Sequence, residues 1–263
     1  MGNGTTVRLP LTGGHSVSAR VHVAASASSG RTILALHGFT GSGEDFASLR
    51  TVIGEESCHW VFLDFPGHGN SDSPADLDAY SLSNVLGIID AARQLAPDPD
   101  NTLLLGYSMG ARIALHYLFQ HPTVPALLIG GSPGLADPAE REQRVEADQN
   151  WIRMLQDDRT SMDEFCSAWE SQPVIHPQTL LPEPLNSSLR ARRRRNNPVG
   201  LAMSLRAWGN GVLPSLWDRL PELVNVALVN GEYDTRFCGI SLEMSASNPR
   251  FTCHVIPGCG HSP

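Results

Sequence analysis

The chain has 263 residues, enough to bury one sizeable core without a metal or disulfide staple. Apolar residues make up 41% and charged residues 17%, which excludes wholesale disorder; no run approaches ~18 consecutive apolar residues, so no membrane span is expected. The net charge of −8, from 19 basic and 27 acidic residues, argues against a nucleic-acid partner, which needs a basic footprint.

Residues 5–9 and 17–23 read as two early strands turned at Gly13-Gly14. The continuous apolar run 32–36 is the pattern of a strand buried on both faces of a parallel sheet, and 59–63 repeats it before the breaker-rich Pro66-Gly67-His68-Gly69. Helical spacing follows through Val85, Leu86, Ile89 and Leu95 over 82–95. A strand at 102–105, a helix at 112–119 and strands at 126–129, 226–229 and 251–256 complete the alternation. This βαβα rhythm predicts an α/β fold with a mostly parallel central sheet and helices on both faces.

The stretch from Pro133 to Leu220 breaks that rhythm. It is helix-rich, holds Trp151, Trp169, Trp208 and Trp217, and lacks a buried-strand pattern, so it is expected to be an inserted helical cap rather than a long loop. The expected division is core over 1–132 and 221–263, with the cap over 133–220. The five cysteines, Cys58, Cys166, Cys238, Cys253 and Cys259, are scattered without a C-x-x-C pair, so no disulfide framework or zinc site is expected and a reducing cytoplasm fits. Met1 to Thr6 shows no charged region leading into an apolar one, so no signal peptide is expected.

Gly106-Tyr107-Ser108-Met109-Gly110 fits G-x-S-x-G, directly after a buried strand and before a helix. A sharp strand-to-helix turn there lifts the serine hydroxyl out of the sheet, and the helix N-terminus below favours negative charge. Such a serine needs a histidine, and the histidine an orienting carboxylate, each just after a later strand in the order Ser, Asp, His. Asp234 and His261 satisfy that order, with Glu232 a nearby rival to Asp234. The loop His37-Gly38-Phe39 is expected to offer the Phe39 N–H to a developing oxyanion, paired with the N–H of Met109. His37 itself reads as a structural residue fixing that loop, and the 64–71 segment as architectural.

Together, Ser108, Asp234, His261 and the His37-Gly38 and Pro66-Gly67-His68-Gly69 loops resemble the α/β-hydrolase superfamily over nearly the whole chain. The superfamily hosts esterases, peptidases, dehalogenases and lyases, so the reaction must come from the site. Arg112, one turn along the helix from Ser108, can face the same pocket and suits an anionic substrate. Arg144, Asp148 and Trp151 are spaced by four and three and share one helix face. The run Arg190-Ala191-Arg192-Arg193-Arg194-Arg195, in an otherwise acidic chain, reads as a local anion site.

With Ser132-Pro133-Gly134-Leu135, Trp169-x-x-Gln172-Pro173 and Arg193 before Asn196-Asn197, this set resembles the 2-succinyl-6-hydroxy-2,4-cyclohexadiene-1-carboxylate synthases of menaquinone biosynthesis. The resemblance implies a small polycarboxylate substrate bound by Arg112, Arg144 and Arg193, with Tyr107 and Trp169 lining the pocket. It implies elimination of pyruvate by Ser108, His261 and Asp234, without metal or organic cofactor, in a cytoplasmic monomer or weak homo-oligomer. Two departures stand out: Ala111 replaces the family's usual glycine, and the sequence stops at Pro263 where the family usually runs on into a helix. Two other readings use the same residues: a carboxylesterase-like hydrolase acting on an anionic ester through an acyl-enzyme, and a non-catalytic binding protein on the same fold.

Overall fold

The computed structural model describes residues 4–25 and 30–262; Met1 to Asn3, on which part of the signal-peptide reading rests, and the chain end at Pro263 lie outside them. Eight strands form one sheet: β1 (Thr5–Pro10), β2 (Ser16–His22), β3 (Thr32–Leu36), β4 (His59–Leu63), β5 (Thr102–Tyr107), β6 (Ala126–Ile129), β7 (Val226–Gly231) and β8 (Thr252–Ile256). Their order is β1-β2-β4-β3-β5-β6-β7-β8. β1 and β2 are antiparallel to their neighbours, and all pairs from β4 to β8 are parallel. β3 and β4 are buried at every position, as their unbroken apolar runs require in a sheet covered on both faces.

The helices are α1 (Ala47–Ile53), α2 (Leu82–Arg93), α3 (Met109–Leu118), α4 (Pro138–Gln156), α5 (Met162–Glu170), α6 (Leu185–Arg194), α7 (Pro198–Trp208) and α8 (Thr235–Ser247). Sequence periodicity found α2 and α3 but not α1, only seven residues long, or α8, which buries just Ser241 and Met244 and so carries little apolar stripe. The α3 start also moves from the expected 112 to Met109, because the elbow feeds directly into the helix.

Helices α4 to α7 all fall between β6 and β7. They hold a small apolar cluster of their own, built from Ile152, Leu155, Phe165, Trp169, Leu201 and Leu205. α7 ties this cluster to the sheet layer, since its Met203 and Trp208 belong to the main core and the Trp208 indole N–H donates to the Tyr80 carbonyl at 2.6 Å. Among the described residues, no helix is long and apolar enough to cross a membrane.

Strand order reverses at β3, which is followed by β4 on one side of it and then by β5 on the other, all three running parallel. In an open parallel sheet the crevice at the carboxyl ends beside such a reversal is where ligands bind. The His37 loop, Ser108, Asp234 and His261 leave the carboxyl ends of β3, β5, β7 and β8 respectively.

Candidate active site

Ser108 is the single residue between β5 and α3, and it makes the turn at φ 50° and ψ −108°. Side chains rarely adopt positive φ, so this strain marks a position the surrounding packing enforces. A serine at a helix start ordinarily caps it through its hydroxyl. Ser108 makes no such cap; its Oγ lies 2.9 Å from His261 Nε2 instead. The turn also requires Gly110, because a Cβ there would lie 2.1 Å from the Leu36 carbonyl oxygen. Ala111, where the resembled family usually has glycine, is fully buried in the main core.

His261 Nδ1 lies 2.6 Å from Asp234 Oδ2, and both side chains are buried. Asp234 starts α8, where its Oδ1 accepts from the Phe237 N–H at 3.4 Å, and the Phe237 ring packs 4.6 Å from the imidazole. Glu232, the rival carboxylate, accepts from the Gly258 N–H at 2.9 Å in an exposed position and does not reach His261. With Nδ1 donating to Asp234, Nε2 is left to accept the serine proton.

His37 acts as a buttress. Its Nε2 accepts from the Phe65 N–H at 3.0 Å, so Nδ1 carries the proton and donates to the Gly38 carbonyl at 2.8 Å. Burial lowers its pKa to about 4, which keeps it neutral. His68 behaves alike, donating from Nδ1 to the Pro66 carbonyl at 3.1 Å, with burial lowering its pKa to about 3. Next along the loop, Phe39 borders the same space as Met109. Met109 is the first residue of α3, where a backbone N–H has no partner within the helix.

Ser108 and His261 open into a cavity of about 860 Å³ between the strand ends and the inserted helices. Phe39, Met109, Arg112, Arg144 and Trp169 lie on its wall. Arg112 donates to Asn210 Oδ1 at 2.8 Å and to the Trp208 carbonyl at 2.7 Å. Burial, and then the charge of Arg144, lower its pKa to about 10, so it remains a cation at neutral pH. Arg144 meets Asp148 at 2.9 Å; burial of Asp148 raises its pKa against the pull of that guanidinium. Trp169 packs its ring 4.8 Å from Phe39 and 5.2 Å from Trp151. Arg236, Asp137, Glu140 and Glu243 also border the cavity.

Arg193 and Tyr107, expected on that wall, stand behind it. The Arg193 guanidinium is buried against Glu170 at 3.1 Å and against Gln178, whose amide in turn donates to the Tyr107 hydroxyl at 2.7 Å. The rest of the arginine run is likewise spent on acids of neighbouring elements, so it forms an ion-paired seam and not an open anion patch. Arg190 meets Glu170 at 3.4 Å, Arg192 meets Asp45 at 2.8 Å, Arg194 meets Asp163 and Arg195 meets Glu44 at 3.0 Å. Sequence reading left out Asn210, Gln178 and Phe237, since a lone polar or aromatic residue far along the chain carries no spacing signal. Among the described residues, no group of three His, Cys, Asp or Glu side chains is placed to hold a metal ion.

A family model described as the alpha/beta hydrolase family matches residues 33–263. A putative 2-succinyl-6-hydroxy-2,4-cyclohexadiene-1-carboxylate synthase of Bacillus subtilis (strain 168) is 33% identical, covering 88% of this chain and 83% of that protein. The synthase of that name from Enterobacter sp. (strain 638) is 31% identical, covering 86% and 83%. The solved structure of MenH from S. aureus superposes with a TM-score of 0.84 at 27% identity, covering 92% of this chain and 90% of that one.

Proposed function

The chain belongs to the alpha/beta hydrolase family and, within it, to the 2-succinyl-6-hydroxy-2,4-cyclohexadiene-1-carboxylate synthases, and from that membership we propose how its residues act. The protein is a lyase that eliminates pyruvate from 2-succinyl-5-enolpyruvyl-6-hydroxy-3-cyclohexene-1-carboxylate. The observation that carries the reading is the hydrogen-bonded chain Asp234–His261–Ser108 opening into a cavity that also holds Arg112 and Arg144.

His261, held by Asp234, draws the proton from the Ser108 hydroxyl, and the Ser108 oxygen removes a proton next to the succinyl ketone. The electron pair left behind moves onto the ketone oxygen, where the Phe39 and Met109 N–H groups meet the developing charge. Collapse of that enolate expels the enolpyruvyl group as pyruvate, and His261 returns the proton. No bond to Ser108 forms. Arg112 and Arg144 bind substrate carboxylates, Trp169 packs against the ring, and Arg193 and Tyr107 brace the wall from behind. The 133–220 segment serves as the cap that shields the reaction from water. In this reading the protein works without a cofactor in the cytoplasm, as a monomer or weak homo-oligomer with no nucleic-acid partner.

The test is pyruvate release from freshly made substrate, coupled to lactate dehydrogenase and compared with an enzyme-free blank. Release well above the blank, lost in Ser108→Ala, supports the lyase. Release at the blank rate with turnover of 4-nitrophenyl esters would replace it with an acyl-enzyme hydrolase.

A further inference from the structure

We propose that Asn196, in the turn after α6, is a positioning residue that holds the Phe39 N–H in its oxyanion-binding place; the proposal rests on the elimination reading above. The donor loop is a tight turn, closed by the Gly41 N–H on the Gly38 carbonyl at 3.0 Å, with Phe39 and Thr40 as its central residues. Thr40 has φ 64°, whereas Phe39 is not in the positive-φ region, which makes this a type II turn. Type II turns favour glycine or asparagine at that third position, and a β-branched residue there is strained. Threonine by itself prefers a turn with Thr40 at negative φ, and relaxing to that form shifts the backbone of the whole four-residue turn, the Phe39 N–H included.

Something outside the turn must hold the strained form. The Thr40 hydroxyl does not, since it is buried without a hydrogen-bond partner. The Thr40 carbonyl does find one: Asn196 Nδ2 donates to it at 2.7 Å. Asn196 is itself fully committed, with Nδ2 also donating to the Arg193 carbonyl at 3.2 Å and Oδ1 accepting from the Gly69 N–H at 3.0 Å. It is buried, so water does not compete for these bonds.

A second anchor runs from the same helix end. Arg192 meets Asp45 Oδ1 at 2.8 Å, and Asp45 Oδ2 accepts from the Ser42 N–H at 3.0 Å. The inserted helices therefore hold the oxyanion loop at two points, Thr40 within the turn and Asp45 after it. Asn196 touches no cavity atom; it acts through the turn, and so should affect the rate of the chemical step more than substrate binding.

The test compares wild type, Asn196→Ala, Asn196→Asp and each variant combined with Thr40→Gly. Asn196→Asp keeps the acceptor for Gly69 and loses the donor to Thr40, so it serves if the alanine variant fails to fold. The expected result is a kcat lower by about tenfold or more with KM within about twofold, since small misplacements of a catalytic group carry costs of that order. Thr40→Gly should restore most of that loss, because glycine holds the left-handed form unaided. A general loosening of the inserted helices would not be rescued by a change in the turn. Crystal structures of the variants should show Thr40 at negative φ. An unchanged kcat, or a loss that Thr40→Gly leaves in place, would overturn the proposal. Wild type that releases no pyruvate above the blank would sink the elimination reading; the φ of Thr40 in the Asn196 variants would still decide whether Asn196 sets the turn.

Discussion

The imidazole of His261 rests on Gly130. A Cβ at Gly130 would lie 2.6 Å from His261 Cε1, and the residue sits at φ 58°, so both the space and the backbone there call for glycine. The turn after β6, which contributes no reacting group, thus sets how close the histidine can come to Ser108. Gly130→Ala is expected to push the ring off Ser108 Oγ and lower kcat by about a hundredfold, with KM little changed. Steady-state pyruvate release checks this, and a kcat within threefold of wild type would show that the ring has room to move.

Arg112 has two fixed partners, Asn210 Oδ1 and the Trp208 carbonyl, and stands on the cavity wall one turn along α3 from Ser108. Arg112→Gln should raise KM by roughly ten- to a hundredfold, the worth of one charge-assisted hydrogen bond, with a smaller change in kcat. Arg112→Lys should recover only part, because a point charge cannot serve both partners and a carboxylate at once. A KM unchanged in both variants would remove Arg112 from the binding set.

The buried pair Glu170–Arg193 predicts an asymmetry in stability. Glu170 meets Arg193 at 3.1 Å and Arg190 at 3.4 Å, so Glu170→Ala strands a buried guanidinium. The expected cost is about 3–5 kcal/mol in urea unfolding, whereas the double variant Glu170→Leu with Arg193→Met should lose much less. A double variant as unstable as the single one would mean that packing, not the stranded charge, sets the cost.

Acid should weaken the fold through its buried histidines. His68 binds its proton only near pH 3 when folded, against 6.5 for an ordinary histidine, because burial disfavours the charged ring. As pH falls from 6.5 toward 3 the unfolded chain takes up a proton that the folded chain refuses, so stability drops by up to about 1.4 kcal/mol per pH unit for this one group. His37 adds to the slope until about pH 4, while the raised carboxyls of Asp45, Asp64 and Asp148 oppose it. His68→Asn isolates the term: relative to wild type, its melting temperature should rise as pH is lowered from 7 to 4. A difference that does not change with pH would show that His68 titrates normally.

Much of this molecule was legible in one dimension. The unbroken apolar runs of β3 and β4, the G-x-S-x-G between β5 and α3, and the placement of Asp234 and His261 after later strands all follow from local pattern and chain order. Local pattern works there because a strand buried on both faces and a strand-to-helix elbow each impose their own composition on a few consecutive residues. α8 escaped because its buried face is too thin to set a period, although Asp234 lies at its start.

What tertiary structure alone decided is which charges face the cavity and which face each other. Seven arginines of similar sequence appeal, Arg112, Arg144 and the five between Arg190 and Arg195, differ in the acids that reach them once the chain is folded. Arg193 finds Glu170, 23 residues away, and Arg192 finds Asp45, 147 residues away, while Arg112 is left on the cavity wall beside Ser108. The strained turn at Thr40 belongs to the same class: nothing in Gly38-Phe39-Thr40-Gly41 announces a hold from Asn196, 156 residues on. The sequence by itself determined the sheet, the elbow and the order of the triad, because these depend on residues close together in the chain. The partner of each buried charge and amide depends on which distant segments pack against it, and only the folded chain specifies that.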